Sequence, residues 1–150
     1  MDWWNYHIYE FSVNRKRYGN RELLDDSSVF DDKSTSLSSV LINEKDTIAY
    51  VYDFGDNWIH TIKLEKIFHI GNLTGPKCID GKLNTPPEDC GGIPGFYNFL
   101  EVMSDKKYKE HKSTKKWYGG DYDPTFINIP EINSNLDNLD EAIKEYEDSW

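Results

Sequence analysis

The run Asp46-Thr47-Ile48-Ala49-Tyr50-Val51-Tyr52-Asp53-Phe54-Gly55-Asp56-Asn57-Trp58-Ile59-His60-Thr61-Ile62-Lys63-Leu64 decides how this chain folds. Ile48, Tyr50, Tyr52 and Phe54 share one parity of its first arm, and Trp58, His60, Ile62 and Leu64 share one parity of the second. Successive side chains of a strand point to opposite faces, so each arm carries one apolar face. Gly55-Asp56-Asn57, between the arms, are residue types that accept the positive φ angles of a tight connection. Two antiparallel strands are predicted.

Working outward toward the N-terminus, residues 5–13 alternate again. His7, Tyr9, Phe11 and Val13 form the set expected to face inward, with Tyr6, Ile8, Glu10 and Ser12 on the other side. Asn14 to Lys16 is polar and Tyr18-Gly19-Asn20 reads as a turn, so a hairpin or loop follows. The acidic segment Asp25 to Asp32 reads as an exposed loop. Ser34, Thr35 and Ser36 offer capping oxygens ahead of Leu37, Val40 and Leu41, spaced as one face of a short helix.

Toward the C-terminus, Gly71 to Gly95 is too rich in Gly, Pro, Asn and Asp for a regular element, and long loops of this kind are often functional. Phe96, Phe99, Leu100 and Met103 then form a helical stripe. Leu136, Leu139, Ile143 and Tyr146 predict a further helix from Ser134 or Asn135, expected to dock as a cover. The expectation is an α+β fold with a mostly antiparallel sheet, two or three packed helices and a long Gly/Pro-rich loop beside the central hairpin.

Composition narrows the function classes. At 150 residues and 17.6 kDa the chain fits one domain, residues 1–150. Hydrophobic residues are only 37% while aromatics reach 15%, which points to a core built from Trp, Tyr and Phe rather than from aliphatics. A formal charge of −10 repels phosphate polymers and anionic membranes, which argues against nucleic acid as a partner. No apolar run approaches a membrane span and Met1-Asp2-Trp3-Trp4 lacks the pattern of a secretory signal, so a cytoplasmic protein is expected.

Chemistry-bearing residues gather in two places. The hairpin presents Asp53, Asp56, Trp58 and His60, and the Gly-rich loop adds Glu88 and Asp89. Carboxylates with an imidazole are the ingredients of a divalent-metal or acid/base site. Against that, His60 shares its parity with Trp58 and Ile62 and so reads as a core histidine. Asp53 and Asp56 flank a turn whose backbone they can bond, and Glu88 and Asp89 precede a helix they can cap. Cys78 and Cys90, with His60 or His69, could supply a zinc site, but their spacing fits no compact zinc motif and two reduced thiols are the simpler reading. No cofactor is expected, with a divalent metal as the alternative.

Lys106, Lys107, Lys109, Lys112, Lys115 and Lys116, closed by Trp117 and Tyr118, form the basic cluster. Lysines among aromatics can track a single strand. The acidic balance of the chain, and its tail from Asp137 to Asp148, favour a solvated surface instead. Asp121 and Asp123 are spaced as in a calcium loop that lacks its further ligands.

The runs Tyr50 to His60, Pro86-Pro87-Glu88-Asp89-Cys90-Gly91-Gly92 and Gly119-Gly120-Asp121-Tyr122-Asp123-Pro124, in this order, resemble the plasmid pRiA4b ORF-3-like family, as do Met1-Asp2-Trp3 and the stretch from His7 to Phe11. The resemblance implies an α+β domain of bacteria and archaea, at times carried by insertion elements, without an assigned reaction. Two departures stand out. Many members carry a cysteine where this chain has Thr85, which weakens the case for a metal. Members also begin some tens of residues earlier with a strand and a helix, so the chain is expected to be N-terminally truncated and prone to self-association. The functional expectation is a non-catalytic interaction or accessory module with a protein partner, associated with plasmids or insertion elements. The alternative is a metal-binding protein or metal-assisted hydrolase.

Overall fold

A computed structural model describes residues 3–69 and 75–148, with side chains through residue 144. The central run folds as read. β4 (Thr47–Tyr52) and β5 (Trp58–Lys63) pair antiparallel, from Thr47 opposite Lys63 to Tyr52 opposite Trp58. The connection turns through Asp53 and Asn57, both at a φ of 55°.

β1 (Tyr9–Val13) lies on the other side of β4, also antiparallel, with Tyr9 opposite Tyr52. It continues into β2 (Lys16–Gly19) through Asn14 and Arg15, both with positive φ, which is the backbone a two-residue hairpin loop requires. Tyr18 and Gly19 are therefore strand and not turn, because the reversal is already complete at Arg15. After the short α1 (Arg21–Leu24), capped by the Asn20 side chain, β3 (Phe30–Asp31) pairs parallel to β2. The acidic segment is thus only partly a loop: Val29 within it is 2% exposed and anchors this edge. The sheet order is β3-β2-β1-β4-β5.

The alternation places one aromatic face inward. Phe11 stacks on Tyr50 with ring centroids 4.6 Å apart, and Tyr50 meets His60 at 5.4 Å. Trp3 lies on the same face, stacked on Tyr52 at 4.9 Å and 5.8 Å from Trp58. Ile59, of opposite parity, is exposed. The one-turn α2 (Leu37–Val40) begins after Ser36, although no side chain caps it.

A second cluster forms on the helices. α3 (Gly92–Ser104) begins before the predicted stripe, since Pro94 is tolerated in a first turn, and it buries Phe99 and Val102. α4 (His111–Tyr118) is a helix within the lysine cluster that its charge pattern concealed. Phe99 touches the rings of Tyr118 and Tyr122 at 5.5 and 5.0 Å, and Phe96 reaches Trp58 at 6.3 Å to join this cluster to the sheet. The C-terminal segment forms two helices, α5 (Ile129–Asp137) and α6 (Leu139–Asp148), separated at Asn138. α5 meets the loop through reciprocal hydrogen bonds between Asn133 and the Cys78 backbone. Leu139 and Ile143 of α6 remain partly exposed, so the expected cover does not form through them, and Tyr146 lies outside the described side chains.

Candidate functional site

Three stretches converge at the end of the sheet where the central hairpin turns: residues 3–7 leading into β1, the turn from Asp53 to Asn57, and the loop from Asn84 to Gly91. The register explains the first two. Tyr9 sits opposite Tyr52, so the chain before β1 runs past the turn after β4, and the Asp53 amide donates to the Ile8 carbonyl at 3.0 Å.

The loop is fastened to both. Trp3 Nε1 donates to the Pro86 carbonyl at 2.9 Å. The Trp4 amide donates to Glu88 Oε2 at 2.8 Å, and the Tyr52 hydroxyl donates to Glu88 Oε1. Burial and this carboxylate together push the Tyr52 phenol well above its usual range. The Gly91 amide donates to Asp56 Oδ2 at 3.1 Å, tying the loop to the hairpin turn. Gly92 and Gly95 allow the close approach: a Cβ on Gly92 would lie 2.5 Å from the Asp56 carbonyl oxygen, and one on Gly95 would lie 1.8 Å from that of Cys90. Gly91 precedes α3 with no side-chain cap, so Glu88 and Asp89 bond across the fold rather than capping that helix.

Beside this fastening lies a different group. His7 Nε2 stands 3.1 Å from Asp89 Oδ1 and 3.8 Å from Asp53 Oδ2. The three donor atoms lie within 4.8 Å of one another. The nitrogen is buried yet aligned for a hydrogen bond with neither carboxylate. A buried polar atom without a partner costs about 1–3 kcal/mol. The outer oxygens are engaged: the Gly55 amide donates to Asp53 Oδ1 at 2.8 Å, and the Tyr6 hydroxyl donates to Asp89 Oδ2. That bond to Asp89 pushes the Tyr6 phenol up to about 12.

The sequence-derived candidates thus separate. Asp53 and Asp89 come together, while Asp56 and Glu88 hold the loop. Trp58 packs between Trp3 and Phe96. His60 stands among the rings of Trp3 and Tyr50, its Nδ1 3.4 Å from the Tyr50 carbonyl oxygen. The metal set His60, Cys78 and Cys90 is not assembled among the described residues. Cys78 sits at the α5 contact, and burial with the nearby Asp56 charge pushes the Cys90 thiol up to about 11, which keeps it protonated. His69 is exposed. In the sequence His7 stands out as an inward-facing residue and as the start of the family-like stretch to Phe11, not as a site residue. Its parity was legible, but its carboxylate neighbours depend on β1 pairing with β4. Asp121 pairs with Lys115 and Asp123 bonds Thr125, which accounts for both acids of the apparent calcium loop.

Asp89 is also a wall of a cleft of about 380 Å³. Trp3, Trp4, Tyr6, Trp117 and Tyr118 supply its aromatic lining, and Pro86, Pro87 and Glu88 complete the side formed by the loop. Trp4 is 80% exposed and Trp117 54%.

Comparison with known proteins agrees with this architecture. The chain is 34% identical over 141 residues to the uncharacterized protein y4hQ of Sinorhizobium fredii, covering 93% of this chain and 73% of that one. It superposes on the crystal structure of MM3350 from Methanosarcina mazei Go1, described as a protein of unknown function, with a TM-score of 0.77 and 32% identity, covering 87% of this chain and 75% of that one. The family model for the plasmid pRiA4b ORF-3-like protein matches residues 1–131, which include the hairpin, the fastened loop, α3 and α4. The chain therefore belongs to the plasmid pRiA4b ORF-3-like family.

Proposed function

We propose that this chain is a protein-interaction module, acting in the cytoplasm, that receives an extended, cationic peptide segment in the aromatic cleft. The observation that carries this reading is the combination in one cleft of exposed Trp4 and Trp117 with Glu88 and Asp89. Aromatic faces attract Lys and Arg side chains, and adjacent carboxylates add a charge partner. The overall charge of −10 favours a basic segment and disfavours an acidic one. Flat rings flanked by Pro86 and Pro87 also suit a chain without internal hydrogen bonds. None of these contacts requires a reaction, so the module is read as non-catalytic, and association with plasmids or insertion elements remains the setting suggested by the family.

An array of immobilised peptides of graded charge tests the reading, followed by tryptophan-fluorescence titration of the best binder. Basic peptides should bind, and Trp4→Ala should weaken them at least about fivefold, as expected for loss of an aromatic contact. Because Trp4 is so exposed, this variant should fold. Preference for acidic peptides, or affinity indifferent to Trp4→Ala, would overturn the proposal.

A further inference from the structure

We propose that His7, Asp53 and Asp89 form a binding site for one divalent transition cation of the zinc or manganese type. The argument begins from His7 Nε2, buried and without a hydrogen bond among the described residues although two carboxylate oxygens stand 3.1 and 3.8 Å away. A neutral imidazole whose Nε2 carries the lone pair needs a donor there, and neither carboxylate offers one. A cation placed between the three groups takes the lone pair directly.

The distances suit such an ion. Ligand atoms about 2.0–2.2 Å from a zinc ion stand about 3–3.5 Å from one another. Here the three donors already lie within 4.8 Å, so a side-chain adjustment of about 1 Å completes the set. The remaining oxygens are already held by Gly55 and Tyr6, which orients both carboxylates toward the imidazole. One imidazole with two carboxylates and no thiolate favours a divalent transition cation, which accepts an imidazole nitrogen, over magnesium or calcium, which take oxygen ligands. Three protein donors leave positions for water or a ligand, and Asp89, with its side chain 57% exposed, lines the cleft from which that ligand would come.

Asp89 belongs both to this site and to the cleft, but cation binding does not rest on the peptide reading, and calorimetric titration of the chelator-treated full chain with Zn²⁺ or Mn²⁺, without peptide, tests it alone. One equivalent should bind, magnesium should not compete, and His7→Gln and Asp89→Asn should each weaken binding at least about tenfold. Asp121→Asn, which alters an exposed carboxylate elsewhere, should leave the affinity unchanged. Should His7→Gln fail to fold, proton NMR of the unaltered chain decides: Mn²⁺ should broaden the ring signals of His7 before those of His69 and His111. Absence of one-to-one binding, or equal affinity in a folded His7→Gln, would overturn the proposal, as would broadening that spares His7.

Discussion

Glu88 and Asp89 are consecutive carboxylates in one loop, yet they sit in opposite circumstances. Glu88 is bonded by the Tyr52 hydroxyl and by the Trp4 amide, so it joins the sheet, the N-terminal segment and the loop. Asp89 has one oxygen bonded by Tyr6 and turns the other to an imidazole that it does not satisfy. The same pairing recurs in the hairpin turn, where Asp56 accepts from Gly91 while Asp53 faces His7. What separates a structural carboxylate from a ligand is thus the direction of the donors around it, not the residue type or its place in a motif.

Substitutions should reveal the difference. The largest effect is expected where the fastening allows no space. Gly95→Ala drives a Cβ to 1.8 Å from the Cys90 carbonyl oxygen and should destabilise the fold by about 3 kcal/mol or more, lowering the melting temperature by roughly 10 °C. Gly120→Ala, with no atom of the described residues near its new Cβ, should show little change. Equal melting temperatures for the two would remove the close approach from the account.

Next comes Glu88→Ala. It strips the partner from a Tyr52 that is only 2% exposed, at a cost of about 1–3 kcal/mol in urea unfolding. Asp89→Asn keeps an oxygen for Tyr6 and, without metal, should change stability by about 0.5 kcal/mol or less. The reverse ranking would mean that the two carboxylates have been assigned the wrong way round.

The smallest structural disturbance is chemical. Burial and the nearby Asp56 charge push the Cys90 thiol up to about 11, so its thiolate should be scarce at pH 8 and become abundant only as pH rises toward that value. Alkylation of Cys90 at pH 8 should run roughly 100-fold slower than that of an unperturbed thiol, and should accelerate up to about pH 11. A rate already level at pH 8 would contradict the burial described for the loop beside Asp56.

Much of this architecture could be read from the chain. The alternation around Gly55-Asp56-Asn57 specified the hairpin, and the parity of residues 5–13 specified the face of β1, because period-two patterns report which side is buried. The reversal after β1 was legible only as a hairpin or loop, because neither Asn14 nor Arg15 is a glycine although both adopt positive φ, and Tyr18-Gly19-Asn20 carries the stronger turn composition. α4 was hidden because its lysines make it polar around most of its circumference, leaving few apolar positions to reveal a period. For the site, Asp53 and Asp89 were nameable from composition. His7 was not, since its role follows from strand order, and no local pattern encodes which strand lies beside which.

The central claim is that the convergence at the hairpin turn is a cation site built on His7. Anomalous diffraction from a crystal of the full chain grown with Zn²⁺ tests it most directly. The account predicts one peak within bonding distance of His7 Nε2 and of carboxylate oxygens of Asp53 and Asp89, about 2.0–2.2 Å from each. A map with no peak there, or with the zinc held by Cys78, Cys90 or His60 instead, would contradict it.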